Sequence, residues 1–89
     1  MRILWDEPKR QSNLALHRLD FADVGEPFLD EALVVPSYAG LRGEPRYRAI
    51  GLLEADLVTL IFSPLGTEAI SLISLRRASR KERRIYGAR

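Results

Sequence analysis

The apolar positions of this chain follow a helical spacing near its two ends and a strand-like spacing between them. Arg2-Ile-Leu-Trp5 has the β-branched and aromatic character of a short strand. Asp6 is placed to cap a helix, and Pro8 falls in the first turn, where its missing N–H has no intrahelical role. That helix runs to about Leu16 or His17, with Leu14 on its buried face. Asp20 caps a second helix whose apolar positions Phe21, Val24 and Phe28 fall at i, i+3 and i+7. Gly25 and Pro27 interrupt it. A proline inside a helix costs about 3 kcal/mol, so this helix is expected to be short, kinked or irregular near its end.

Strand patterning begins after Asp30. Ala32 to Val35 is a strand stopped by Pro36, and Ser37 to Pro45, with two glycines, is a loop. From Arg46 to Leu53 the chain alternates, with Arg46, Arg48 and Ile50 on one side and Tyr47, Ala49 and Leu53 on the other. Glu54-Ala-Asp56 turns into Leu57–Phe62, a central strand buried on both faces. Ser63-Pro-Leu-Gly66 reads as the next turn, and Ala69 to Leu75 as the last strand. Ser79-Arg-Lys-Glu82 has the spacing of a capping box and starts a final helix. The resulting order is β-α-α-β-β-β-β-α, with no internal repeat and no linker, so residues 1–89 form a single domain.

Charge sharpens this picture. From Arg76 to Arg89 the chain carries seven Arg or Lys against one Glu, net +6, while the first 75 residues carry seven against eleven, net −4. The total of +2 hides a dipolar molecule whose basic end attracts polyanions or acidic partners. Arg76 and Arg77 end a strand and so stand on rigid backbone. Arginine dominates this end, and its planar fork suits bidentate contact with phosphate. With no cysteine there is neither a disulfide framework nor a thiolate metal site. No apolar run approaches the length of a membrane span, and Asp6 and Glu7 break any signal-peptide pattern, so a soluble, cytoplasmic protein is expected.

Few residues stand out as reagents. His17 is the only histidine, and at a helix end it reads as a surface residue, a C-terminal cap or a proton-transfer group. Trp5 fits either the core or a base-stacking platform. Glu82 is first the partner of Ser79, while Ile85 and Tyr86 fit the packing of the last helix on the sheet. No Ser-His-Asp set, P-loop or metal-spaced cluster is visible, so neither a metal nor a cofactor is expected.

In order, these segments resemble BrnT-type toxins of bacterial type II toxin–antitoxin modules. The residues that carry the resemblance are Ile3-Leu-Trp5-Asp6, Lys9, Asn13 and His17, then Phe21 to Phe28-Leu-Asp30 and Arg46-Tyr-Arg-Ala-Ile-Gly51. Ile73-Ser74, Arg76-Arg77-Ala78, Glu82-Arg83 and Tyr86 complete it and are its most specific part. The resemblance implies an α+β, RelE-like fold: a small, mainly antiparallel sheet with two N-terminal helices and one C-terminal helix. It implies a ribonuclease that arrests translation, is held by a cognate BrnA-like antitoxin, and meets DNA only through that antitoxin. Metal-independent RNA cleavage needs a base for the ribose 2′-OH, cations for the phosphate oxygens and an acid for the leaving oxygen. By position, Arg76 and Arg77 are the implied phosphate contacts, Lys9 and His17 add charge or proton transfer, and Glu82 and Tyr86 complete the catalytic candidates. Arg46, Arg48, Arg80, Lys81, Arg83 and Arg84 are the implied RNA-binding residues.

The chain also departs from the family. The Lys-His-Gly triplet is reduced to Leu16-His17-Arg18, and Leu65 and Ser71 stand where arginines are usual. Losing one such cation typically costs about 3 kcal/mol, roughly a hundredfold in rate. An alternative is therefore a catalytically impaired module that keeps its cationic face for an acidic protein partner.

Overall fold

Five strands, β1 (Arg2–Leu4), β2 (Leu33–Pro36), β3 (Tyr47–Leu53), β4 (Asp56–Leu65) and β5 (Ala69–Arg77), form one sheet in the computed structural model, which describes residues 1–89. Their spatial order is β1-β5-β4-β3-β2. All neighbours are antiparallel except β1 and β5, which run parallel. Three helices complete the α+β fold: α1 (Glu7–His17), α2 (Glu26–Glu31) and α3 (Arg80–Gly87). No helix is long and apolar enough to cross a membrane.

The stretch after Asp20 is not one helix. A 3-10 turn at Phe21–Asp23 is capped by the Asp20 carboxylate, which accepts from the Ala22 N–H at 2.9 Å. α2 then restarts from Gly25, with Pro27 in its first turn. Splitting the segment puts the proline where its ring clashes with nothing and still buries Phe21, Val24 and Phe28. The irregularity therefore falls at the start of α2 rather than at its end.

α1 starts as the residues dictate, with the Asp6 carboxylate accepting from the Lys9 N–H at 3.2 Å. Its buried residue is Asn13, while Leu14 is only half-buried. β1 covers the outer edge of β5 only at residues 69–71. Beyond it the Asn13 amide replaces a strand: Oδ1 accepts from the Leu75 N–H at 3.0 Å and Nδ2 donates to the Leu75 carbonyl at 2.9 Å. α1 ends at Arg18, whose φ of 60° lies in the left-handed region. A side chain there costs about 1–2 kcal/mol, which explains physically why a glycine suits this position. After the entropy that glycine loses on folding, Arg18→Gly should stabilise the protein by about 1 kcal/mol. A thermal melt should then rise by roughly 4–8 °C; an unchanged or lower midpoint would show that the Arg18 side chain repays its strain.

The sheet buries its two faces unequally. Toward α1, the 3-10 turn and α2 lies the main core, including Phe21, Phe28, Val58, Leu60, Phe62, Leu72 and Leu75. Gly51 belongs here, because a Cβ on it would approach Phe28 and the Ala32 backbone at 3.2 and 3.3 Å. The opposite face carries a small cluster, Ile50, Leu57 and Ala78, under Ile85 and Tyr86 of α3. α3 is too short to cover the whole sheet, so Ser63, Ser71 and Ser74 line up beyond it on the same face.

β4 runs to Leu65, and the turn is Gly66–Glu68, later than the proline suggests. Pro64 is tolerated because β3 has already ended opposite Phe62, leaving β4 only β5 as a neighbour. The ladder slips once: Ile61 pairs with Ser74 and Phe62 with Leu72, so Ile73 is an extra residue on β5. This bulge resets the alternation. Leu72 and Leu75 both point into the main core, and Arg76 is sent to the α3 face opposite Thr59. A regular strand would have turned Arg76 inward and Leu75 outward.

Candidate functional site

Arg76 and Arg77 leave β5 in opposite directions, as adjacent strand residues must. Arg77 stays on the α1 side, where Nη1 donates to the His17 carbonyl at 3.1 Å and Nη2 lies 3.5 Å from Asp56. Arg76 turns to the α3 face and forks onto Glu82, with Nη1 and Nη2 at 2.7 and 2.9 Å from the two carboxylate oxygens.

Glu82 is the hub of this face. It is 2% exposed, yet its carboxylate accepts from Arg76, from Arg48 Nη1 at 3.2 Å, from the Thr59 hydroxyl at 2.8 Å and from the Ser79 N–H at 2.8 Å. The Ser79 hydroxyl in turn accepts from the Glu82 N–H at 3.1 Å, closing the capping box that starts α3. Arg76 first, then the backbone N–H and hydroxyl donors, hold the carboxyl far below the usual carboxylate range despite its burial. Conversely, Glu82 raises the pKa of Arg76. With every strong acceptor direction used, Glu82 is a positioning residue for two guanidinium groups and offers no free lone pair to act as a base.

Beside this hub an open cleft of about 390 Å³ is lined by Pro36, Ser37, Tyr38, Arg48, Arg76 and Lys81. Three cations meet one buried carboxylate, leaving the cleft at net +2. Such an arrangement suits anions: the guanidinium groups are held on strands, and Lys81 adds an exposed charge from the first turn of α3.

The remaining candidates lie elsewhere. Lys9 and His17 share a shallow depression with Ser12, Asn13, Leu16, Ile73 and Ser74, which has no lining residue in common with the cationic cleft. Tyr86 packs on the small core cluster, with the Arg89 guanidinium 3.9 Å from its ring centre. Arg46 stands 3.6 Å from Glu44. Arg80, Arg83 and Arg84 are exposed on α3 and join no ion pair. Trp5 is half-buried against the core, edge-on to Phe21 at 6.4 Å with its N–H on Glu7. No three carboxylate or imidazole groups converge to suit a metal ion. Ser37, Tyr38 and Thr59 join the site in addition. A polar residue inside the apolar run Leu57–Phe62 is the signal for Thr59; a loop without periodicity offers none for the other two.

Residues 5–82 match the family described as ribonuclease toxin, BrnT, of type II toxin–antitoxin systems. The chain belongs to the BrnT family. A crystal structure of the Brucella abortus ribonuclease toxin BrnT is similar, at 47% identity and a TM-score of 0.78, covering 90% of this chain and 99% of that one. Among the curated proteins nothing matches. The protein is therefore the toxin component of a type II toxin–antitoxin system with a RelE-like fold, and toxins of this family pair with cognate antitoxins. Within the BrnT frame its departures acquire places. Leu65 and Ser71 lie on the α3 side of the sheet, at the end far from Glu82, so arginines there would extend the cationic surface along the serine row.

Proposed function

We propose that this toxin is a metal-independent endoribonuclease that places an RNA strand across the open sheet face and is silenced when its cognate antitoxin covers that face. The observation that carries the reading is the cleft formed by Arg48, Arg76 and Lys81 around buried Glu82. Two of these cations are fixed before any ligand arrives, so they stabilise charge developing on a phosphate without reorganising at the moment of reaction. Lys81 supplies the third charge. Catalysis on this reading rests on phosphate stabilisation and on holding the 2′-OH in line with the leaving oxygen. His17 and Lys9, in their own depression, serve a strand that continues round the uncovered part of the β5 edge. DNA is met through the antitoxin, in the cytoplasm.

The chain expressed alone should stop growth and, when purified, should cut RNA in the presence of a chelator. Co-expression with its cognate antitoxin should abolish both effects. Intact RNA in every arm, from a folded protein, would sink the ribonuclease reading.

Two observations favour a second reading, a binding module with impaired catalysis: the positions of Leu65 and Ser71 carry no cation, and both terminal nitrogens of Arg76 donate to Glu82. Leu65→Arg/Ser71→Arg separates the two. Cleavage that appears only in the double variant marks a decayed site, whereas cleavage already present in the unaltered chain rejects impairment.

A further inference from the structure

We infer that Tyr38 is the nucleobase platform of this toxin, a stacking surface beside the phosphate cleft that decides how firmly single-stranded RNA is held. The inference rests on the ribonuclease reading above and adds to it the contact that recognises a base.

Tyr38 is 94% exposed and lines the cleft together with Arg48, Arg76 and Lys81. Every other aromatic side chain is engaged: Trp5 with Phe21, Tyr47 stacked on Phe62 at 5.8 Å, Phe28 in the core and Tyr86 under Arg89. Tyr38 alone keeps both ring faces open to solvent. Its backbone is fastened even so. Ser37, one residue before it, donates its N–H to the Arg46 carbonyl at 2.9 Å. Further along the loop, the Gly40 N–H donates to the Glu44 carbonyl at 2.9 Å, and the Glu44 carboxylate accepts from the Arg42 N–H at 3.0 Å. The Glu44 carboxylate lies close over Gly40, where a Cβ would displace it.

A fastened loop that holds an unpacked aromatic ring in water gains nothing for stability. The ring stands next to three cations, and a nucleotide combines one flat apolar surface with one anion. Base stacking on an aromatic ring accepts any base and supplements the charge-driven grip on the backbone, which is the division of labour in single-strand binders. A tyrosine is well suited, since it offers a rigid ring at little entropic cost. The hydroxyl plays no part, so phenylalanine should serve equally.

The test uses the whole toxin and a fluorescent six-nucleotide strand with 2′-O-methyl groups, which binds but lacks the hydroxyl needed for cleavage. Anisotropy titration should show Tyr38→Ala binding roughly ten- to a hundredfold more weakly than the unaltered toxin, and Tyr38→Phe binding as the unaltered toxin does. With an abasic strand of the same length, the unaltered toxin and Tyr38→Ala should bind alike. Because Tyr38 packs on nothing, the variants should melt at the unaltered temperature. Undiminished binding by Tyr38→Ala, alongside weakened binding by Arg48→Ala/Lys81→Ala, would overturn the platform and leave the ribonuclease reading standing. Undiminished strand binding with loss of antitoxin co-purification would assign Tyr38 to the protein partner and equally overturn it. If neither the unaltered toxin nor any variant bound the strand, the ribonuclease reading would fall and the platform with it.

Discussion

Glu82→Ala should lower the melting temperature by at least roughly 12 °C. Removing this side chain leaves two guanidinium groups facing each other, strips the Thr59 hydroxyl of its acceptor and opens the capping box of α3. Breaking a buried ion pair from one side costs about 3–5 kcal/mol. The low end applies, because the two arginine side chains are 33% and 28% exposed and water partly replaces the lost carboxylate. For a domain of this size each kcal/mol moves the midpoint by roughly 4–8 °C. A drop of less than about 4 °C would show that the hub does not hold α3 on the sheet. The same carboxylate sets an acid response. Its folded pKa is depressed below the ordinary 4.5, so the unfolded chain takes up the proton at a higher pH than the folded one. The stabilisation is therefore complete above about pH 4.5 and is lost as pH falls below it. Asp20, held down by Arg10, responds in the same direction. Glu82→Gln should flatten this acid slope in urea or thermal melts without abolishing it.

Arg48→Ala/Lys81→Ala should reduce kcat/KM for RNA cleavage by roughly a thousandfold while the protein stays folded. The pairing in the hub makes this combination informative. Arg76 still neutralises Glu82, so no charge is left buried alone, yet the net charge of the cleft falls from +2 to zero. A preorganised cation facing a developing phosphate charge is worth about 3 kcal/mol, roughly a hundredfold. Lys81 is exposed and joins no ion pair, so it is screened by water and contributes nearer tenfold. Growth arrest on expression should disappear in parallel. Full activity in the double variant, with an unchanged melt, would move the chemistry away from this cleft, and the depression holding His17 and Lys9 would become the place to examine.

Much of this architecture can be read from local signals. Alternation along Arg46–Leu53 places Arg48 and Ile50 on one side and Tyr47 and Ala49 on the other, as the strand register shows. The spacing of Ser79 and Glu82 announces the start of α3 because each group satisfies the other's backbone N–H. Other features are not local. Parallel pairing of β1 with β5 joins residues almost 70 positions apart, and nothing near Arg2–Leu4 signals it. The hub is partly legible: the capping box is visible, but its use as the anchor for Arg48, 34 residues earlier, depends on how α3 crosses the sheet. The opposite directions of Arg76 and Arg77 follow from strand geometry, whereas which of them faces α3 depends on the bulge at Ile73. Its trace in the sequence is the spacing Leu72, Leu75, a step of three where a strand repeats every two. Tyr38 carries no such trace. An exposed loop residue has no period to break, and only the cleft beside it gives its ring a purpose.

The Asn13 amide on the Leu75 backbone has a consequence for the free toxin in solution. Past residue 71, β5 has no strand on its outer side, and a bare ribbon of backbone groups is a template onto which another chain can crystallise. One side-chain amide occupies the Leu75 donor and acceptor that an added strand would need. Helix α1 thus closes that step of the edge ladder to intermolecular pairing.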